Sequence, residues 1–449
     1  LYQERETHLV EDGAIQNRRI LWERTKTMKV VAAFIFLFVS TSMAQFTSSI
    51  QLNYTHDSNV FGNYAEVPDN YLGLNFNLDN YIGWDYSSVD MSYNGALSSY
   101  NSYPEQDNWN HTLSVNYRIQ LSGVADDMDS SEEASSADAN SLSVSPDSLE
   151  TFMTFSGSLN RTVPHSGAFS AYQNYIASGL ASLRYPIAKI SVLRVIYGIN
   201  YTGYDYITSL SNLENVGTAI LSFIPGRGFN IYLAGSYGNK KYYGVDTVST
   251  AVQNLIKMHS NGRYKGKGKG STTPSASAKT YLLDSPSAAQ ATYGAGLNFV
   301  KDGWRGDGSF LIRRDPSGSA RYISAVAKFS NTLSDVYDDP YSYAGSEFNI
   351  LVGKDSLLAG VDFAVGMKRA SKDYNRPAYD TSQTVIVAKQ RRDEYTDISV
   401  ALSRAFSSGG FPTGFTVGLN YDRIVNASND EYYKFTDDVM TLSLTINLF

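Results

Sequence analysis

His56-Asp57-Ser58-Asn59 is where the chain comes nearest to nucleophilic chemistry. In a strand, residues two apart point to the same face, so an imidazole at 56 could take a proton from a hydroxyl at 58. Asp-Ser-Asn is also ordinary turn chemistry, and a turn is the better expectation for this stretch. His111, His165 and His259 stand alone, without the spacing of metal ligands, and the scattered carboxylates define no acid and base pair. The chain has no cysteine, which excludes a disulfide framework, a thiolate metal site and a cysteine nucleophile. No catalytic residue, metal or cofactor is therefore assigned, and the chain is not expected to be an enzyme.

Any such residues need elements to position them, and those elements repeat every two residues. Met440, Leu442, Leu444, Ile446 and Leu448 alternate with Thr441, Ser443, Thr445 and Asn447. Leu72 to Leu78, Leu113 to Leu121 and Phe415 to Tyr421 do the same, each giving a strand with one apolar and one polar face. Further strands are expected near 150–160, 172–184, 190–203, 214–224, 229–238, 290–300, 304–314, 319–331, 345–353, 357–369 and 395–406. Tight turns are expected at Pro225-Gly226-Arg227-Gly228, Lys301-Asp302-Gly303, Asp315-Pro316-Ser317-Gly318 and Ser408-Gly409-Gly410, which makes the sheet antiparallel. The expectation is sixteen to eighteen strands. Seventeen are counted without 381–390, whereas an even number suits a closed barrel with both ends on one side.

Composition agrees with a membrane barrel. Of 449 residues 18% are charged and 13% aromatic, with 34 tyrosines, and the net charge is -7. Clustered Lys and Arg, which nucleic acid requires, occur only in Lys265 to Lys269, so nucleic acid is not an expected partner. A soluble sandwich also alternates, but runs of ten residues or more, separated by short turns and long polar loops, fit a lipid-spanning barrel better. Tyr54, Tyr71, Tyr81, Trp84, Tyr100, Tyr201, Trp304, Tyr395 and Phe449 sit near strand ends, as interfacial girdles would.

The chain divides into three parts. Residues 1–27 are polar, precede Met28 and are expected to lie outside the mature protein. Residues 28–44 (MKVVAAFIFLFVSTSMA) have the basic start, apolar run and small-residue end of a signal peptide cleaved before Gln45. Residues 45–449 are expected to form one all-β, closed antiparallel barrel with short periplasmic turns and long outer loops. Three insertions, 122–150, 238–289 and 370–394, are too polar to build a core and are expected to be solvated loops. Strand parity puts the acidic first one on the periplasmic side.

Asp57-Ser58-Asn59-Val60-Phe61 after the first strand, and the closing LSLTINLF, resemble Gram-negative outer-membrane β-barrel proteins. The resemblance implies the outer membrane, lipid and lipopolysaccharide as surroundings, and insertion by the barrel-assembly machinery. In that group a terminal aromatic is part of the insertion signal, whereas here the apolar phase falls on Ile446 and Leu448 rather than Phe449. The His-x-Ser spacing is similar to the catalytic pair of outer-membrane phospholipase A and lipid A deacylase, without their surrounding pattern.

Phase places Asp79, Arg118, Arg194, Arg313, Asp362 and Asp422 opposite the lipid-facing rows. Charges of both signs inside a barrel either pair across it or set the field of an aqueous pore. The leading expectation is a porin-like channel passing small hydrophilic solutes. The alternatives are a structural or surface-interaction barrel that binds a partner or lipopolysaccharide through its loops, and a lipid esterase using His56 and Ser58.

Overall fold

The computed structural model describes residues 45–122, 150–165, 172–226, 228–243, 287–316, 339–379, 385–407 and 414–448. The expected signal peptide and upstream segment lie outside these residues, as do Lys265 to Lys269, His259 and Phe449.

Sixteen strands follow one another in chain order: β1 (Gln45–Asp57), β2 (Asp69–Trp84), β3 (Ser87–Tyr100), β4 (Asn108–Ser122), β5 (Thr151–Pro164), β6 (Asn174–Ala188), β7 (Ser191–Tyr204), β8 (Asn212–Gly226), β9 (Phe229–Tyr242), β10 (Ser287–Lys301), β11 (Trp304–Arg314), β12 (Tyr343–Leu358), β13 (Val361–Tyr379), β14 (Val385–Ser407), β15 (Gly414–Ser428) and β16 (Phe435–Asn447). Each pairs antiparallel with its sequence neighbours, and β1 pairs with β16 from Ser49↔Asn447 to Asp57↔Val439. The ring is therefore closed. Within the ring every strand has a neighbour on both sides, the condition for a sheet to sit in hydrocarbon.

Register carries one face right round the ring. Leu52 opposes Leu74 and Leu444, Leu419 opposes Leu442 and Leu402, and Phe310 opposes Phe348. All of these but the half-buried Leu444 are exposed, Leu52 at 48% and Leu442 at 51%, and with dozens of large apolar neighbours they form the outer surface. A belt of that extent is stable only where something apolar covers it, and lipid does so on every side of a closed cylinder.

The two ends differ. At one end the connections are short: Asp302-Gly303 and Ala359-Gly360 are two-residue turns with φ of 52° and 74°, and 52° and 75°, the left-handed pair that matches strand twist. Gly228, at φ 71°, turns β8 into β9 with the Val300 carbonyl 1.9 Å from where a Cβ would stand, so no other residue fits there. At the other end the connections are longer. The acidic insertion joins β4 to β5 at the short-turn end.

Several expectations need correction. The described strands close the ring at sixteen, within the expected range, with β11 paired directly to β12; the strand expected at 319–331 lies outside the described residues. Asp315-Pro316 opens the long connection from β11 to β12 and is not a tight hairpin turn. Residues 370–394 are largely strand: β13 and β14, 19 and 23 residues long, continue past the ring as a hairpin with Pro377↔Gln390 and Tyr379↔Val385. Residues 385–390 of the doubtful 381–390 belong to that hairpin, and add no crossing. Tyr71, Tyr100 and Tyr395 face inward rather than toward lipid, because they pair in phase with Thr55, with one another and with Asn426. Tyr54, Tyr201 and Trp304 do lie on the outer face.

Candidate functional site: the inner wall

The side chains opposite the apolar belt line the inside. On β15, β16, β1, β2 and β3 the inner face carries Asp422, Asp437, Asp57, Asp69, Asp79 and Asp90 among Asn, Ser, Thr and Gln, with no inward Lys or Arg. On the next four strands, β4 to β7, it carries Arg118, Arg184 and Arg194 and no carboxylate. Two adjacent arcs of opposite sign thus share one wall. The remaining strands mix charges in contact: Glu347 on β12 meets Lys368 at 3.3 Å and Arg313 at 3.9 Å.

The polar arc is cross-linked by short side chains. Asn75 donates to Gln51 at 3.1 Å, Asn77 to Ser49 at 3.3 Å, Ser156 to Asn116 at 2.9 Å and Asn160 to Thr112 at 2.7 Å. Such bonds hold amide and hydroxyl groups in fixed directions while leaving half of each exposed, so the wall stays wettable.

Each residue singled out in the sequence has a definite place. Asp79 is exposed on the inner phase of β2. Arg118 pairs with Glu150 at 3.5 Å, its guanidinium lying 4.1 Å from the centre of the Phe152 ring. Arg194 lies directly across from Arg184 on β6, and its Nε is buried without a partner. Arg313 donates to Gln290 at 3.0 Å besides approaching Glu347. Asp422 shares the inner face with Asp397 on β14, and its β14 register partner is Ser399. Asp362 stands at the turn end, where it accepts the backbone N–H of Ser356 at 2.8 Å, and so serves the turn. These six residues do not form one cluster.

The candidate nucleophile is taken apart. His56 points to the outer face, its Nδ1 2.9 Å from Asn70 Oδ1. Ser58 donates to Asp437 at 3.2 Å and accepts from the Asp438 N–H at 2.7 Å. No hydrogen bond joins His56 to Ser58. His111 lies on the outer face against Tyr93 and Trp109. No group of three or more His, Asp or Glu among the described residues could hold a metal ion.

At the long-loop end the inner face is packed instead of wet. Several descending strands begin with a turn that tucks the residue two before the strand against the wall. Gln106, Tyr172, Leu210, Tyr341 and Tyr433 are all buried there. Asn108, Asn174 and Asn212, each first in its strand, donate to the carbonyl of that tucked residue at 2.9, 3.0 and 3.0 Å. Two seats are ionic. Lys240, 1% exposed, pairs with Asp339 at 3.4 Å while Tyr242 donates to the same carboxylate, and Tyr341 donates to Glu214 at 2.7 Å. Burial, and then the Glu214 carboxylate beside it, push the Tyr341 hydroxyl well above the usual phenol range. Arg391 lies between the Tyr374 and Tyr433 rings, 4.0 and 3.4 Å from their centres, with Asp393 beside it. Asp393 also accepts from Asn426 at 3.2 Å and Ser428 at 2.6 Å.

Sequence reasoning missed Lys240, Asp339 and the Arg391–Asp393 pair. The first two are 99 residues apart in the chain, a pairing no spacing reveals. Arg391 falls in 370–394, where the sequence predicts a solvated loop. Its alternation with Asp393 and Tyr395 was the available signal. The wall is also less uniformly polar than expected, since Leu180, Ile196, Val216 and Ile220 face inward on β6 to β8.

No family profile matches the chain, and no curated protein matches it in sequence. Among solved structures, the chain is similar to three Pseudomonas aeruginosa proteins. OccK5 (OpdH) is 10% identical, with 90% of this chain and 99% of that one covered and a TM-score of 0.41. The outer-membrane protein opdK is 9% identical over 90% and 99%, with a TM-score of 0.42. OprD is 7% identical over 90% and 95%, with a TM-score of 0.41.

Proposed function

We propose that this chain is a porin-like channel of the bacterial outer membrane that passes small hydrophilic solutes. One observation carries the reading: half of the inner wall is a half-exposed lattice of Asn, Ser, Thr and Gln bearing two segregated arcs of charge. A wall built only to hold the barrel together would pair its charges, as the long-loop rim does. Asp79, Asp90 and Asp422, which no opposite charge bridges among the described residues, set a field across any water inside. A barrel of sixteen strands encloses more space than side chains can fill, which leaves room for that water.

Purified protein reconstituted in planar bilayers should give stepwise conductance in simple salt. Membranes that stay silent while the protein is folded and inserted would refute the channel reading.

A further inference from the structure

The inner faces of β6, β7 and β8 combine two features the polar wall lacks. Leu180, Gly198 and Val216 form one cross-strand row, and Ser182, Ile196 and Thr218 the next. Leu180, Ile196 and Val216 are half-exposed. Gly198 lies between Leu180 and Val216, and a methyl group there would meet nothing closer than 4.0 Å, so the row is a trough with aliphatic sides and an open floor. The row after Ile196 is Arg184, Arg194 and Ile220. Gly198 and Arg194 are four residues apart on β7, about 13 Å at the rise of a strand.

We propose that this stretch of wall holds an anion bearing an aliphatic chain, the chain in the trough and the negative head at Arg194 and Arg184. The inference deepens the channel reading and rests on it, since it names the kind of solute the wall retains. Charge selects the head: Arg184 and Arg194 stand side by side on β6 and β7, whose inner faces carry no carboxylate, while Glu214, the inward carboxylate of β8, lies six residues along that strand from Ile220 and is engaged by Asn200 and Tyr341. The Nε of Arg194, buried without a partner, is a donor that a carboxylate, sulfonate or phosphate oxygen would satisfy. Apolar side chains select the body, because a wall meant only for water and ions gains nothing from Leu180, Ile196 and Val216.

The test uses the full mature chain in planar bilayers with acetate, butanoate, hexanoate and octanoate as probes. Current blockades should lengthen with the chain, roughly two- to fourfold per added methylene that leaves water. Leu180→Ser with Ile196→Ser should flatten that dependence and leave acetate unchanged. Arg194→Gln should shorten every blockade, and octylammonium should block no longer than a short ammonium ion. Conductance with blockades independent of chain length, or equally long in the Leu180→Ser, Ile196→Ser variant, overturns the proposal while the channel reading stands. If bilayers stay silent the channel reading falls, and the same probes are titrated calorimetrically into protein in lipid nanodiscs. Heats that grow with chain length in the wild type but not in the double-serine variant then support the trough, and equal heats in both overturn it.

Discussion

The long-loop rim and the middle of the wall use the same side chains to opposite ends. At the rim, Lys240 and Arg391 are 1% and 2% exposed, each held by a carboxylate and tyrosine rings. In mid-wall, Asp79, Asp90 and Asp422 face inward on the same kind of strand, yet no opposite charge among the described residues bridges them. The difference is what covers them. Where a turn folds onto the wall, a charge loses water and must be paired. Where nothing folds over, it keeps water and its field reaches into the bore. Burial, more than residue type, decides whether a barrel's internal charge is cohesive or electrostatic.

The sharpest way to break this comparison is at Arg391. Removing it with Arg391→Ala leaves Asp393 buried among Asn426, Ser428 and two tyrosine rings, a loss of about 3 to 5 kcal/mol for an orphaned buried charge. Chemical unfolding in lipid vesicles should show an earlier midpoint with an unchanged slope. The ion selectivity of the open channel should not move. A shift in selectivity without a loss of stability would reverse the roles assigned to the two regions.

Tyr341→Phe is gentler. It deletes the hydroxyl that donates to Glu214 and keeps the ring that packs on Lys240. A hydrogen bond to a charged acceptor contributes about 1.5 to 3 kcal/mol, so the midpoint should fall by less than for Arg391→Ala. The same vesicle unfolding experiment ranks the two. Equal losses would mean that the ring, rather than the hydroxyl, seats the turn before β12.

How far the sequence reveals these regions follows from the range of the interactions. Alternation at Leu72 to Leu78 or Met440 to Leu448 is a local pattern, and it gave the closed antiparallel sheet, the outer belt and the inward phase on which Asp79, Arg118 and Asp422 sit. The same pattern adds a strand at 319–331, outside the described residues, although sixteen described strands already close the ring. It also misplaced Tyr71, Tyr100 and Tyr395, because closeness to a strand end ignores which face the ring takes. The rim was illegible for a different reason: Lys240 meets Asp339, and Arg391 meets Tyr433, only after the barrel closes. Asp362 kept its phase but lay at a turn, where boundary errors of a residue or two change a side chain's use.

In mid-wall the expected changes are in permeation, with stability nearly untouched. Replacing Asp79, Asp90 and Asp422 together by Asn keeps shape and hydrogen-bonding capacity while removing three negative charges from the acidic arc. Asp79 is exposed and Asp90 and Asp422 half-exposed, so each substitution should cost no more than about 1 kcal/mol. The reversal potential across a salt gradient should move toward anions, by a permeability-ratio change of a few-fold, because a focused potential of several kT is being weakened. Raising the ionic strength should shrink the effect as the Debye length falls to about 3 Å at 1 M. A triple variant with unaltered selectivity would mean that the arc is remote from the conducting water.

The smallest and most discriminating change is Arg118→Gln. Arg118 stands at the edge of the acidic arc, beside the strand that bears Asp90, and it is already partly compensated by Glu150 at 3.5 Å. Its removal should shift selectivity toward cations, opposite in sign to the aspartate variants and smaller than their combined shift, because Glu150 is released as one field is lost. Stability should change little, since the pair is part-exposed and such pairs contribute about 0 to 1 kcal/mol. Measured against Arg391→Ala, the same chemical deletion on the same kind of strand should thus give a selectivity change without unfolding in one place and unfolding without a selectivity change in the other. If both variants gave both effects, burial would not be the variable that separates rim from wall.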